Sequence, residues 1–136
     1  MITAVGANII LDTLAGTQQE ISLAHAALRS AEATGEVIVS TVVYAEVSQR
    51  FASRAKAKDF FELLGCRIDP LDEESAFFAG QFARAYRLRG GDRTRILPDF
   101  LIAAHAQTRA NRLLTRDGRF FRQFPQLKAV SPEELI

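Results

Sequence analysis

The stretch VIVSTVVYAEV, residues 37–47, decides the fold. Val37, Ile38 and Val39 form a β-branched run, the side-chain type that packs best on a buried pleated surface. Ser40-Thr41 follows, a pair whose hydroxyls suit the free N–H groups of a first helical turn. Val43, Val47 and Phe51 then recur every fourth residue as one apolar stripe. A strand therefore runs straight into an amphipathic helix. Towards the amino terminus, the apolar run Ile2–Asn8 reads as a first strand, weakened by Gly6. Between Gln18 and Thr34, Ile21, Ala24, Leu28 and Ala31 are spaced three, four and three apart, and Gly35 supplies the stop of a helix.

Towards the carboxyl terminus the helical pattern persists, with breaks, through Phe60, Phe61 and Leu64 to Gly65. Cys66 to Ile68 is a short strand ahead of an Asp69-Pro70 turn. Glu73 to Leu88 repeats helical spacing in Phe78, Phe82, Ala85 and Leu88, and Gly90-Gly91 ends it. Pro98 opens a helix to about Arg109, Arg112–Thr115 gives a brief strand, Asp117-Gly118 a turn, and Lys128–Val130 a last strand. Alternating strands and helices predict an α/β fold: a three-layer α/β/α sandwich around a mostly parallel sheet. The phenylalanines Phe51, Phe77, Phe78 and Phe82 are expected in the core by default, with a surface for a second copy or a partner protein as the alternative.

The 136 residues, 48% hydrophobic and 24% charged, make one domain, 1–136, with a single core; two full domains would not fit. Four prolines and eight glycines exclude low-complexity and disordered classes. The one cysteine, Cys66, excludes an internal disulfide and a cysteine-based zinc site. The amino terminus lacks the basic segment of a signal peptide, and the longest near-apolar stretch, Val37–Ala45, falls far short of the roughly 20 residues of a membrane helix. The expectation is a cytoplasmic protein without membrane association.

The formal charge of +1 hides two opposed regions. Arg84 to Arg122 holds ten arginines and three acids (Asp92, Asp99, Asp117), a sum of +7, whereas the other residues hold seven bases and thirteen acids, −6. Guanidinium forks bind phosphate bidentately, so this asymmetry suits nucleic acid, with Arg93, Arg95, Arg116 and Arg119 as candidate RNA contacts. A solvated surface, or one that docks an acidic protein, would carry the same charge.

In such sheets the binding crevice lies beyond the carboxyl ends of the strands. Gly6, Glu46, Asp99 and Asp117 all fall there. Three carboxylates from distant segments are hard oxygen donors of the kind Mg²⁺ or Mn²⁺ takes. Each also has an ordinary role open to it. Asp99 complements a helix dipole, Asp117-Gly118 is a turn pair, and Glu46 suits a solvated helix face. His105 reads as a packed histidine, since neither histidine has a ligand partner at i, i+4. No glycine-rich phosphate loop is present. A phosphoacceptor receiver domain would need paired acids after the first strand, and Lys128 alone does not support it.

Four segments, AVGANIILDTL (4–14), STVVYAEV (40–47), LPDFLIAAHA (97–106) and LLTRDGRFFRQFP (113–125), resemble the signature segments of PIN-domain ribonucleases, in order and across almost the whole chain. The length and the FFRQFP tail most resemble the VapC toxins of toxin–antitoxin modules. The resemblance implies a PIN-like sandwich, an endoribonuclease dependent on Mg²⁺ or Mn²⁺, a homodimer, and a VapB-like antitoxin whose carboxyl-terminal segment covers the acidic pocket. Position by position it assigns Glu46, Asp99 and Asp117 as catalytic and metal-binding acids, with Asn8 and Thr115 supporting them.

The chain departs from the family at its first segment. An Asp-Thr/Ser-Asn sequence is usual there, and this chain has Gly6-Ala7-Asn8, so the fourth acid and its neighbouring hydroxyl are gone. Loss of an anionic ligand weakens metal binding and misplaces the attacking water, so an impaired enzyme is expected. Asp12, four residues beyond Asn8, is expected to face solvent or cap the next element rather than replace the missing acid. The competing reading is a catalytically inactive PIN module that binds antitoxin or RNA without cleavage.

Overall fold

A computed structural model describes residues 1–91 and 97–136. Its elements run β1 (Ile2–Val5), α1 (Ala7–Ala15), α2 (Gln18–Thr34), β2 (Glu36–Ser40), α3 (Thr41–Ser48), α4 (Arg54–Leu63) and β3 (Arg67–Asp69). They continue through α5 (Glu73–Leu88), α6 (Leu97–Arg109), β4 (Arg112–Leu114), α7 (Gly118–Gln123) and β5 (Ala129–Val130) to a closing 3-10 turn, Pro132–Leu135. Side-chain caps close the starts of α2, α3, α4, α5 and α7. Thr17 and Glu20 form a capping box on α2, and Ser40, Ser53, Asp72 and Asp117 accept from the first turns of α3, α4, α5 and α7.

The sheet order is β3-β2-β1-β4-β5, and all four pairings are parallel. The chain steps outward from β1 through β2 to β3, then crosses back to β4 beside β1 and steps outward again. Right-handed crossovers put helices made on the outward and return journeys on opposite faces. Accordingly α1 packs on α2 and α5 packs along α6, while α3 touches both α1 and α6. The core lies between these layers. It joins Val5, Ile38, Val39, Leu113 and Leu114 of the sheet to Ile9, Ile10 and Leu28 from one helical set and Phe100, Ile102 and Ala103 from the other.

Two features fix the frame around the strand ends. Gly35 holds φ +154°, and a Cβ there would stand 1.8 Å from the Met1 carbonyl oxygen, so only glycine lets β2 start beside the amino terminus. At the other end, Phe124 meets Phe82, Phe100 and Phe120 with ring centroids 5.8, 5.8 and 5.3 Å apart, which anchors α7 against α5 and α6.

The expected fold class holds, with a sheet that is wholly parallel. Locally, four expectations change. The first strand stops at Val5, and Ala7–Ala15 is a helix, because Ile9 and Ile10 turn into the core on a helical repeat too short to show in the sequence. Asp117-Gly118 opens the short helix α7 rather than a free turn. Asp69 ends β3 as a buried residue. Phe77 and Phe78 leave the core, 57% and 39% exposed, since the inward stripe of α5 runs through Ser75, Ala79, Ala83 and Tyr86. Among the described residues no helix is long and apolar enough to cross a membrane.

Candidate active site

Reversal of the chain's progress makes the gap between β1 and β4 the switch point of the sheet, where loops diverge and leave a crevice. Gly6 follows β1 and donates its N–H to the Leu114 carbonyl at 2.9 Å. Gly6 therefore lies beside Thr115, the residue after β4. A pocket of about 230 Å³ opens there, lined by Gly6, Asn8, Glu46, Asp99, Thr115 and Asp117 with apolar walls that include Leu11, Ile102 and Phe120. The three acids singled out in the sequence thus meet from three elements. Glu46 comes from α3, which is wedged between α1 and α6; Asp99 stands in the first turn of α6; Asp117 caps α7.

Their electrostatics differ. The Glu46 pKa is raised, first by desolvation against the pocket wall and then by the charge of Asp99, although its rim keeps solvent contact. Two like charges thus share the pocket. Asp117 uses Oδ1 to accept from the Arg119 backbone N–H at 2.9 Å, and both its oxygens face the Arg119 guanidinium at 3.1 and 3.0 Å. Asn8 ties the two strand ends together. Its Oδ1 accepts from the Arg116 N–H and its Nδ2 donates to Thr115 Oγ1, each at 3.2 Å. Thr115, 1% exposed, also accepts from the Asp117 N–H at 3.0 Å. Its own hydroxyl proton has no acceptor among the described residues.

The sequence profile of the PIN domain matches residues 5–125, a span that contains every part of this pocket. The chain belongs to the PIN domain family. Its fold is similar to those of VapBC2 from Rickettsia felis bound to a promoter DNA fragment (TM-score 0.77, 19% identity, 96% of this chain and 98% of that one) and VapBC-1 from nontypeable Haemophilus influenzae (0.72, 19%, 98% and 99%). It is also similar to DNA-bound VapBC from Salmonella typhimurium (0.72, 17%, 97% and 98%). No curated protein sequence matches the chain.

In this PIN domain the place of the absent acid is open rather than closed. Gly6 has φ −75° and ψ 159°, extended backbone that any residue adopts. A Cβ there would meet Leu114 O, Thr115 Oγ1 and Thr115 Cβ at 3.5–3.6 Å, ordinary contact. Neither backbone nor space demands glycine, and Thr115 Oγ1 stands within 3.5 Å of the Cβ that a side chain would add there. As a cation site the pocket fits Mg²⁺ or Mn²⁺ in kind, with hard carboxylate donors and an internal repulsion that a cation relieves. Among the described residues no three His, Cys, Asp or Glu side chains form a ready-made metal cage. Glu46 and Asp99 would be the holding pair, which is within the usual complement for Mg²⁺ when substrate phosphate completes the shell.

The candidate RNA-binding arginines of the PIN domain fare differently from one another. Arg93 and Arg95 lie outside the described residues. Arg116 turns its guanidinium onto Asp12, with Nε to Oδ2 at 2.6 Å and Nη2 to Oδ1 at 2.8 Å, and reaches Glu20 at 3.9 Å. Asp12 accordingly is buried, not solvated, and it neither enters the pocket nor caps an element through its side chain. Together with the Asn8 bond, it clamps the Thr115–Asp117 loop to α1. Its partner lies 104 residues away, so local sequence gave no sign of it.

A second buried carboxylate also escaped the sequence. Asp69 accepts at Oδ2 from His105 Nε2 (2.8 Å) and Arg109 Nε (3.1 Å), and at Oδ1 from Arg67 Nη1 (2.9 Å) and Arg109 Nη2 (3.2 Å). Arg67 also pairs with Glu36. The Arg109 guanidinium, with His105 and Arg67, holds the Asp69 carboxyl far below the usual range. This cluster joins β3 to α6, the helix that carries Asp99. The expected packed role of His105 is therefore what the structure gives it.

Proposed function

We propose that the chain is a VapC-type toxin, an endoribonuclease that uses Mg²⁺ or Mn²⁺ to hydrolyse RNA phosphodiester bonds and is weakened by Gly6. The observation that carries this reading is the convergence of Glu46, Asp99 and Asp117 on one pocket at the switch point of a PIN domain. A cation held by Glu46 and Asp99 would supply positive charge to the scissile phosphate and the attacking water. Asn8 and Thr115 hold the β4–α7 loop in register with β1, so that Asp117 stays at the pocket edge. The arginine-rich region from Arg84 to Arg122 would grip the RNA backbone outside it. Complexes named VapBC share this fold, which supports a VapB-like antitoxin as partner; a homodimeric toxin and a cytoplasmic setting are part of the same proposal.

A binding-only PIN module is the second reading, favoured by the missing carboxylate at position 6 and by the engagement of Asp117 with Arg119. The two separate in one experiment. A panel of structured RNAs is incubated, with and without Mg²⁺ or Mn²⁺, with this chain and with its Gly6→Asp, Ala7→Thr double variant. Metal-dependent cleavage in both supports the nuclease, whereas cleavage in the double variant alone confirms the site and marks this chain as disabled. Silence in both, with RNA or antitoxin still bound, supports the binding module.

A further inference from the structure

Helix α5 leaves one whole side to solvent. Its buried stripe runs through Ser75, Ala79, Ala83 and Tyr86. A repeat of about 3.6 residues puts Glu73, Phe77, Gly80 and Arg84 on the opposite side, flanked by Glu74 and Arg87, and all six are exposed. Phe77 meets the neighbouring Phe78 edge-on, with ring centroids 5.9 Å apart, and Leu88 ends the same side 75% exposed. The charges are ordered, with both acids at the amino end and both arginines at the carboxyl end. None of these four side chains has a polar partner among the described residues. By contrast Asp72 and Arg89, just beyond the two ends, are taken up within the chain by Arg109 and by the Gln123 carbonyl. The helix macrodipole accounts for the order of the charges, but not for two adjacent phenylalanines left in water. Nor does the chain itself account for Gly80. Glycine weakens a helix interior, and a Cβ at this position would meet nothing within 4 Å.

We propose that this side of α5 is a self-complementary docking surface, on which a second copy of the chain lays its own α5 antiparallel. The proposal rests on the homodimeric reading above and adds the face and the register. A two-fold axis between Gly80 and Gln81 sets Glu74 against Arg87 of the second copy and Phe77 against Arg84 of the second copy, and every contact recurs across the axis. Each acidic end then meets a basic one. A guanidinium covers each Phe77 ring, a stacking that arginine favours. Gly80 stands at the crossing, where the absence of a side chain lets the two helices approach closely. Charge selects this occupant over others. RNA or an acidic peptide would satisfy Arg84 and Arg87 but be repelled by Glu73 and Glu74, and a basic partner would meet the reverse. Arg84 and Arg87 accordingly serve the interface rather than the RNA backbone.

The test is sedimentation velocity over a range of concentrations, on the intact chain and on four variants: Phe77→Asp, Gly80→Leu, a basic chain (Glu73→Lys, Glu74→Lys) and an acidic chain (Arg84→Glu, Arg87→Glu). Thermal melts confirm that each remains folded, and the exposure of every altered position favours this. The intact chain should dimerise. Phe77→Asp should weaken the dimer by at least about 30-fold, the scale of an anchor residue. Gly80→Leu should weaken it by at least about tenfold while leaving the melt of the monomer unchanged or raised, which a merely structural glycine would not do. The basic and the acidic chain should each dimerise at least about tenfold more weakly alone, and an equimolar mixture should form a heterodimer within about threefold of the intact affinity. A dimer that Phe77→Asp and Gly80→Leu leave unchanged, or a mixture that restores nothing, overturns the α5 face while the homodimeric reading stands. An intact chain that stays monomeric overturns both, and loss of RNA binding in the acidic chain would then assign Arg84 and Arg87 to RNA.

Discussion

The cluster around Asp69 makes the most quantitative test of how this fold holds its site. In Asp69→Ala, four donated hydrogen bonds lose their acceptor. The cost is not four equal parts. Arg67 and Arg109 are 50% and 44% exposed and turn to water when released, so their share is small. His105 is 1% exposed, and its Nε2 is left facing a void. An unsatisfied buried donor costs about 1–3 kcal/mol, and breaking a buried charge-assisted pair about 3–5. With the exposed arginines discounted, the loss should be about 3 kcal/mol, or roughly 10 °C in Tm for a domain of this size. Urea unfolding at pH 7 measures it. The pH dependence adds a signature. Asp69 has a folded pKa depressed below its unfolded value, so its contribution is complete above about pH 4 and is lost as pH falls from there towards the folded pKa. The gap between the intact chain and Asp69→Ala should therefore narrow as pH falls below about 4. A loss under about 1 kcal/mol at pH 7, or a gap that stays constant on acidification, would refute the reasoning.

Three further outcomes follow from the geometry. Arg116→Ala should destabilise the chain by about 1–2 kcal/mol in urea unfolding, because it leaves the buried Asp12 without its partner, and Asp12→Asn should relieve part of that loss in the double variant. Glu46 has a folded pKa raised above its unfolded value, so its charge opposes folding above that pKa and not below the unfolded one. Glu46→Gln should raise stability at pH 7 by no more than about 0.5 kcal/mol, since the group keeps solvent contact, and the gain should vanish by about pH 3.5. Burial pushes the Cys66 thiol up to about 12, so a thiol reagent at pH 8 should label the folded chain far more slowly than the urea-unfolded chain.

The α/β class was legible because its signals are local. The run Val37–Val39 with Ser40 behind it, the α2 stripe closed by Gly35, and Pro98 ahead of Asp99 each report their own element. The acids Glu46, Asp99 and Asp117 were legible as pocket residues for the same reason, Asp99 and Asp117 at helix starts and Glu46 one to two turns into the helix that follows a recognisable strand. What stayed hidden is long-range. Asp12 looked like a solvated or capping residue until Arg116, far along the chain, came to rest on it. Asp69 looked like half of a turn pair, because Pro70 follows it and nothing in the local sequence shows its three partners, Arg67, His105 and Arg109. Helix α1 was lost to a short apolar run, Ile9-Ile10-Leu11, in which period 2 and period 3.6 look alike. The engagement of Arg119 with Asp117 lay only two residues apart, yet the sequence gave both residues roles outward, towards phosphate and metal, and not towards each other.

Restoration of the missing acid tests the central claim most directly. Gly6 is the uncapped start of α1, so aspartate there is compatible with the helix and with the space beside Thr115. The measurement is the Mn²⁺-dependent rate of RNA cleavage by the Gly6→Asp, Ala7→Thr chain, with and without Asp99→Asn. The account predicts a rate at least about 100-fold above that of the starting chain, returned to background by Asp99→Asn. Cleavage that persists after Asp99→Asn, or a double variant that stays silent on every RNA while still binding Mn²⁺, would contradict it.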